Sequence, residues 1–244
     1  GVLWGDSHAM HYAPLIHFAA KKRGLAVLLW RAGGCPPFFD NEKIRLSGKP
    51  TRDARTCAEH NARMRTWLAA DHSVTFIALG AVWSSYPSTL LTGGQSVTKS
   101  SGTQILMTGL NDLLTQLERG KRRFLLLGEM PAMAPWEYAC AAERDSALLR
   151  LPCPPENEQA RAAAVEKQQS LTRSALHQLA QTRPGITYLT VSERLCTAVS
   201  CAVTLGEEFL YRDHHHLRLD LSLATIEALT TKIGLEGALA VAAP

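Results

Sequence analysis

At 244 residues, 46% of them hydrophobic and 20% charged, the chain is long enough to bury a sizeable core in one α/β domain spanning 1–244. No run approaches the ~20 consecutive apolar residues of a membrane-spanning helix, and no N-terminal segment reads as a signal peptide. The net charge of +4 is mild, and the basic clusters Lys21-Lys22-Arg23 and Lys121-Arg122-Arg123 carry no interleaved aromatics, so they read as solvated helix ends and not as a nucleic-acid surface.

The first apolar run, Val2–Trp4, reads as a strand that begins directly after Gly1. With no initiator Met before it, the chain is expected to be an excised or processed domain. The strand breaks at Gly5, and a helix is predicted over Met10–Arg23. Further strands are predicted at Ala26–Trp30, Val74–Leu79, Phe124–Leu127 and Ile186–Leu189. Helices are predicted between and after them at Asp53–Ala70, Thr103–Arg119, Glu156–Thr182 and Leu221–Lys232. Pro154-Pro155 and Pro184-Gly185 bracket the fourth helix as start and stop signals. Short, nearly continuous apolar strands alternating with helices predict a mainly parallel five-stranded sheet covered on both faces. The expected fold is therefore a doubly wound, flavodoxin-like three-layer α/β sandwich, whose ligands bind beyond the carboxyl ends of the strands. The connections Arg31–Arg52 and Tyr86–Ser101 are long for a compact domain, and such loops are commonly functional or mobile.

The six cysteines fall into three sequence-local pairs, Cys35 with Cys57, Cys140 with Cys153, and Cys196 with Cys201. No C-x-x-C spacing suggests zinc or a redox motif. Three disulfides imply an oxidising compartment, whereas six buried thiols are the alternative in a reducing one. Neither a P-loop nor a dinucleotide fingerprint is present, so no cofactor is expected.

Ser7 follows Gly5-Asp6 at the strand-to-helix turn. A serine there sits exposed beyond a strand end, with its own N–H at the positive end of a helix, which suits a nucleophile that must also hold an oxyanion. Near the other end of the chain, Asp213-His214-His215-His216 places a carboxylate three residues before an imidazole. That spacing lets Asp213 reach one ring nitrogen of His216 while the other faces Ser7, the requirement of a Ser-His-Asp triad. Asp6 reads as a helix cap, and His8 and His11 as residues that line the site or serve surface roles. Trp83, Ser84 and Tyr86 end the third strand near the site, either to hold a sugar or to pack the core. Glu129, in the turn after the fourth strand, is a weaker pocket candidate. No metal site is expected, because the triad explains His216 better and the adjacent histidines His214, His215 and His216 on one short loop cannot all point inward.

Gly5-Asp6-Ser7-His8 resembles the first block of the SGNH (GDSL-like) esterase superfamily, and Asp213-x-x-His216 resembles its last. Together with Cys35-Pro36-Pro37, Leu79-Gly80-Ala81-Val82-Trp83-Ser84 and Leu210–Leu217, they resemble a narrower branch. This is the periplasmic SGNH domain fused to membrane acyltransferases that O-acetylate bacterial surface polysaccharides. The superfamily's Gly-x-Asn-Asp block is missing after the third strand, so no oxyanion-hole asparagine carries over. The backbone N–H groups of Ser7 and Gly34 are the candidates instead. The resemblance implies an O-acetyltransferase of a periplasmic domain, moving acetyl through acyl-Ser7 to a surface polysaccharide of the O-antigen or lipopolysaccharide kind. The acyl donor would come from an upstream integral-membrane domain. An extracytoplasmic carbohydrate or lipid acetylesterase and a non-catalytic glycan-binding module are the alternatives.

Overall fold

A computed structural model describes residues 1–38, 45–46, 54–92, 95–118, 122–143 and 160–243. Five strands build the central sheet: β1 (Val2–Gly5), β2 (Leu28–Arg31), β3 (Phe76–Gly80), β4 (Arg123–Leu127) and β5 (Ile186–Leu189). Their order is β2-β1-β3-β4-β5, and every neighbouring pair is parallel. This is the expected doubly wound, flavodoxin-like sheet, whose strand order reverses between β1 and β3.

Side chains alternate along the strands and so feed two cores. Leu3, Phe76, Ala78, Leu125 and Leu127 face one side, where they pack with α1 (Ser7–Lys21) and with the two C-terminal helices (Leu223–Lys232 and Leu235–Ala242). Val2, Trp4, Ile77, Leu79, Phe124 and Leu126 face the other, with α2 (Ala54–Ala70), α3 (Lys99–Leu117) and the Leu176 end of the long helix Ala162–Thr182. Strands buried on both faces explain the continuous apolar runs in the sequence. The exception is β2, an edge strand whose Leu28 and Leu29 are exposed. Among the described residues no helix is long and apolar enough to cross a membrane.

Several boundaries differ from expectation for local reasons. Helix α1 begins three residues early, at Ser7, because the Asp6 side chain caps it by accepting from His8 N–H at 2.7 Å. Helix α3 begins at Lys99 because the Thr98 hydroxyl accepts from Ser101 N–H. The helix expected from Glu156 begins at Ala162; Ala160–Arg161 instead pair antiparallel with Ser200–Cys201, and 156–159 lie outside the described residues. Helices at Pro135–Glu143, Ser192–Leu195 and Leu235–Ala242 were not anticipated. The connection after β3 carries a 3-10 turn at Tyr86–Ser88 and short strands at Leu90–Thr92 and Gln95–Ser96.

Arg122 corrects the reading of its cluster as a solvated face. It is buried, and its guanidinium donates to the carbonyls of Leu68, Asp71, Val74 and Leu117. It thus satisfies backbone acceptors around the C-terminal ends of α2 and α3. Lys121 lies outside the described residues.

Two expected disulfides are present, Cys35–Cys57 and Cys196–Cys201. Cys140 is also disulfide-bonded, and its expected partner Cys153 lies outside the described residues. Cys35–Cys57 closes 22 residues and ties the turn after β2 to α2.

Close approach of β1 to β3 depends on Gly5. A Cβ added there would lie 1.7 Å from the Gly80 carbonyl oxygen. Gly5→Ala therefore requires the two central strands to part, and it is expected to cost about 3 kcal/mol in urea unfolding.

Candidate functional site

Strand β1 ends where the strand order reverses, and the chain turns at once into α1. Asp6, fully buried in that turn, is bound from three directions. Its Oδ1 accepts from His8 N–H at 2.7 Å, and its Oδ2 accepts from Val82 N–H at 3.0 Å and from the Tyr86 hydroxyl at 2.5 Å. Burial pushes the Asp6 carboxyl up, while the bonds from Tyr86, Val82 and His8 oppose that shift. The cap leaves Ser7 as the first residue of α1, part exposed, at the positive end of the helix dipole.

The loop carrying Asp213 and His216 reaches the same edge from the far end of the chain. His216 Nε2 lies 2.8 Å from Ser7 Oγ, and His216 Nδ1 lies 3.0 and 2.9 Å from the two Asp213 oxygens. Asp213 Oδ1 also accepts from the backbone N–H groups of His215 and His216, at 3.0 and 2.8 Å. Partial burial opposes ionisation of Asp213, but these bonds and the His216 ring outweigh it and hold its pKa at about 2. The loop is held by its neighbours: Met133 N–H donates to His214 O at 2.8 Å, the Tyr138 hydroxyl to Arg212 O at 2.6 Å, and the Tyr211 hydroxyl to Pro131 O at 2.6 Å. Ser7, His216 and Asp213 thus form a continuous hydrogen-bonded relay with geometry suited to general-base activation of a serine.

Gly34 lies in the turn after β2 with a φ of 69°, a left-handed conformation that favours glycine. Its turn is fixed against the serine's own turn, because Ala32 N–H donates to Gly5 O at 3.1 Å. The Cys35–Cys57 disulfide and the Asn61 amide, which donates to Pro36 O at 2.8 Å, hold it from the other side.

Trp83, Ser84 and Tyr86 are buried, which fits core packing, the second of their two readings, and not the holding of a sugar. Trp83 is fully buried and its indole N–H donates to Leu127 O at 2.8 Å. Tyr86 is buried with its hydroxyl on Asp6. Ser84 is buried, and its N–H and hydroxyl both donate to the Glu129 carboxylate, at 2.6 and 2.8 Å. Trp83 and Ser84 join the ends of β3 and β4 instead, and Tyr86 joins the chain after β3 to the end of β1. Trp136, in the helix that carries Tyr138, is exposed, with the Arg161 guanidinium 5.1 Å from its ring centre. A tryptophan in the first turn of a helix opened by Pro135 was the available signal, but the helix itself was not anticipated.

Three further histidines, His8, His11 and His215, cluster around His216. His8 and His11 are buried on α1, and burial followed by the nearby His216 charge holds the His8 pKa well below its usual value. His215 and His216 both turn their rings toward His8, with ring centres 5.5 and 5.0 Å away. His214 is exposed, so the three loop histidines do not all point inward, but two of them do. Backbone N–H bonds to Asp213 wind the loop tightly enough to bring both rings inward.

Glu129 carries a pH dependence of its own. Burial raises its pKa from 4.5 to about 7, against the opposing Ser84 bonds. A raised carboxyl pKa means that the folded state holds the proton more tightly. Its contribution to stability is full below pH 4.5, falls as pH rises to about 7, and is constant above. Chemical unfolding should show this decline, at most about 3 kcal/mol, and Glu129→Gln should lose most of it.

The family model described as "SGNH domain (fused to AT3 domains)" matches residues 1–229. No curated protein matches the chain. Among solved structures, the chain is similar to the periplasmic domain of the lipopolysaccharide acetyltransferase of Salmonella ser. Paratyphi A. The TM-score is 0.61 at 16% identity, covering 96% of this chain and 82% of that one. It also matches a Streptococcus pneumoniae protein provisionally described as a platelet activating factor, with a TM-score of 0.49 at 14% identity, covering 96% of this chain and 81% of that one. The serine turn, the parallel sheet and the family match over nearly the whole length agree: the chain belongs to the family of SGNH domains that occur fused to AT3 domains.

Proposed function

We propose that the domain is a serine-dependent O-acetyltransferase that transfers acetyl groups to hydroxyls of a bacterial surface polysaccharide. The observation that carries the reading is the relay from Asp213 through His216 to Ser7, with contacts of 2.8 to 3.0 Å. His216 Nε2 takes the Ser7 proton as Oγ attacks the acyl carbonyl. Asp213 fixes the ring orientation and stabilises the imidazolium. The oxyanion rests on the N–H of Ser7, at the start of α1, and on that of Gly34. Collapse of the tetrahedral intermediate expels the donor's leaving group, which His216 protonates, and leaves acetyl on Ser7. A sugar hydroxyl then gives its proton to His216 Nε2 and attacks the acetyl carbonyl, and collapse of the second tetrahedral intermediate expels Ser7 Oγ, which takes that proton back from His216.

The family's fusion to AT3 domains supports a donor delivered by a membrane acyltransferase domain, upstream of a periplasmic SGNH unit. The likeness to the lipopolysaccharide acetyltransferase domain supports a surface glycan as acceptor. Exposed Trp136 offers the sugar an apolar face, beside the segment that Met133 and Tyr138 bind to the triad loop.

Acetyl release from 4-nitrophenyl acetate, with and without an O-antigen polysaccharide, tests this reading. Ser7→Ala and His216→Ala should each lower turnover by on the order of 10³-fold or more, and Asp213→Asn by about 10²–10⁴-fold. Acetyl ester on the polysaccharide, seen by NMR, distinguishes transfer from hydrolysis. Equal rates in wild type and Ser7→Ala would contradict the reading. Trp136→Ala should raise the KM for polysaccharide several-fold and leave that for 4-nitrophenyl acetate unchanged.

A further inference from the structure

His8 poses a problem that the acyl-transfer reading does not solve. It is 2% exposed, and neither Nδ1 nor Nε2 has a hydrogen-bond partner. One of those nitrogens carries a proton and the other a lone pair, so a buried donor and a buried acceptor both go unmet. Unmet buried groups of this kind are rare and mark a ligand or a functional site. The ring stands among further imidazoles, with the ring centres of His11, His215 and His216 at 4.7, 5.5 and 5.0 Å. One nitrogen each from His8, His215 and His216 falls within 4.8 Å of the others.

We infer that His8, His215 and His216 form a three-nitrogen site for a divalent transition metal of the zinc class, and that metal bound there switches the serine off. Imidazole suits such ions, and three protein nitrogens with one open position are a common zinc arrangement. Nitrogens around a tetrahedral zinc lie about 3.4 Å apart, given Zn–N bonds of about 2.05 Å. The three nitrogens therefore have to draw together from within 4.8 Å to bind the ion.

Outer contacts fit as well. Ligating histidines usually have their second ring nitrogen held by a hydrogen-bonding partner. His216 Nδ1 is held by the Asp213 carboxylate, and His215 Nδ1 lies 3.0 Å from His214 Nε2. The ligand atom on His216 is thereby Nε2, the nitrogen that faces Ser7 Oγ at 2.8 Å. A metal on Nε2 occupies the lone pair that would accept the serine proton. Inhibition rests on the proposed acyl-transfer function, whereas metal binding does not.

The test is direct titration of chelator-treated protein with zinc sulfate against a chromogenic chelator, alongside zinc inhibition of 4-nitrophenyl acetate turnover. The expected result is one zinc per chain, with affinity at least tenfold weaker in both His8→Gln and His215→Gln. Ser7→Ala should still bind zinc, and inhibition of wild type should follow the binding curve. Far-UV circular dichroism checks the fold of each variant. Should His8→Gln fail to fold, His215→Gln and His214→Gln decide together: binding lost in the first and kept in the second keeps the inference, and binding lost in both overturns it. Binding far below one zinc per chain would overturn the inference, as would zinc affinity unchanged in both variants. Loss of binding in His214→Gln but not in His8→Gln would also overturn it, since the ion would then sit on the exposed Asp213–His214–His215 group. A protein that binds zinc as predicted but turns over no ester would sink the acyl-transfer reading and leave the metal site standing.

Discussion

The site depends on one buried carboxylate. Asp6 starts a helix with one oxygen, through His8 N–H, and grips the chain after β3 with the other, through Val82 N–H and the Tyr86 hydroxyl. Those bonds fix the angle between the end of β1 and the axis of α1. They thereby fix Ser7, which lies between the cap and the helix. A capping residue of ordinary type contributes about 1 kcal/mol to a helix. Here the same carboxylate also joins two central strand ends, so its loss would displace the serine as well as fray a turn.

The second half of the relay is positioned differently. Asp213 and His216 sit on a loop, yet the loop is bound along its length to the segment after β4 by contacts from Pro131, Met133 and Tyr138. Asp213 holds the backbone of its own loop with Oδ1, one of the two oxygens that meet the imidazole. Two chain regions about 209 residues apart thus meet at one edge of a rigid sheet. A parallel sheet favours this, because every strand delivers its carboxyl end to the same side.

Much of this was legible from sequence, and for a physical reason. Strands buried on both faces must be apolar throughout, so β1, β3 and β4 announce themselves. The triad residues are equally visible, because Ser7 follows a strand-breaking glycine and Asp213-x-x-His216 has a spacing that a single loop can use. Facing direction beyond the strand ends was not legible. Trp83 and Tyr86 follow β3, and nothing local says that one turns to Leu127 and the other to Asp6. Arg122 looked solvated because its four acceptor carbonyls come from α2, α3 and the segment before β3, which only the fold brings together. The helix Leu235–Ala242 was hidden behind Gly234, whose left-handed conformation ends one helix and begins the next.

The central claim is that Ser7 is activated by His216 and Asp213. Sulfonylation by phenylmethylsulfonyl fluoride, followed by intact mass and peptide mapping, tests it most directly. The account predicts one adduct per chain, located on Ser7, forming at least a hundredfold more slowly in His216→Ala. An adduct on another residue, or labelling of Ser7 at an unchanged rate in His216→Ala, would contradict it.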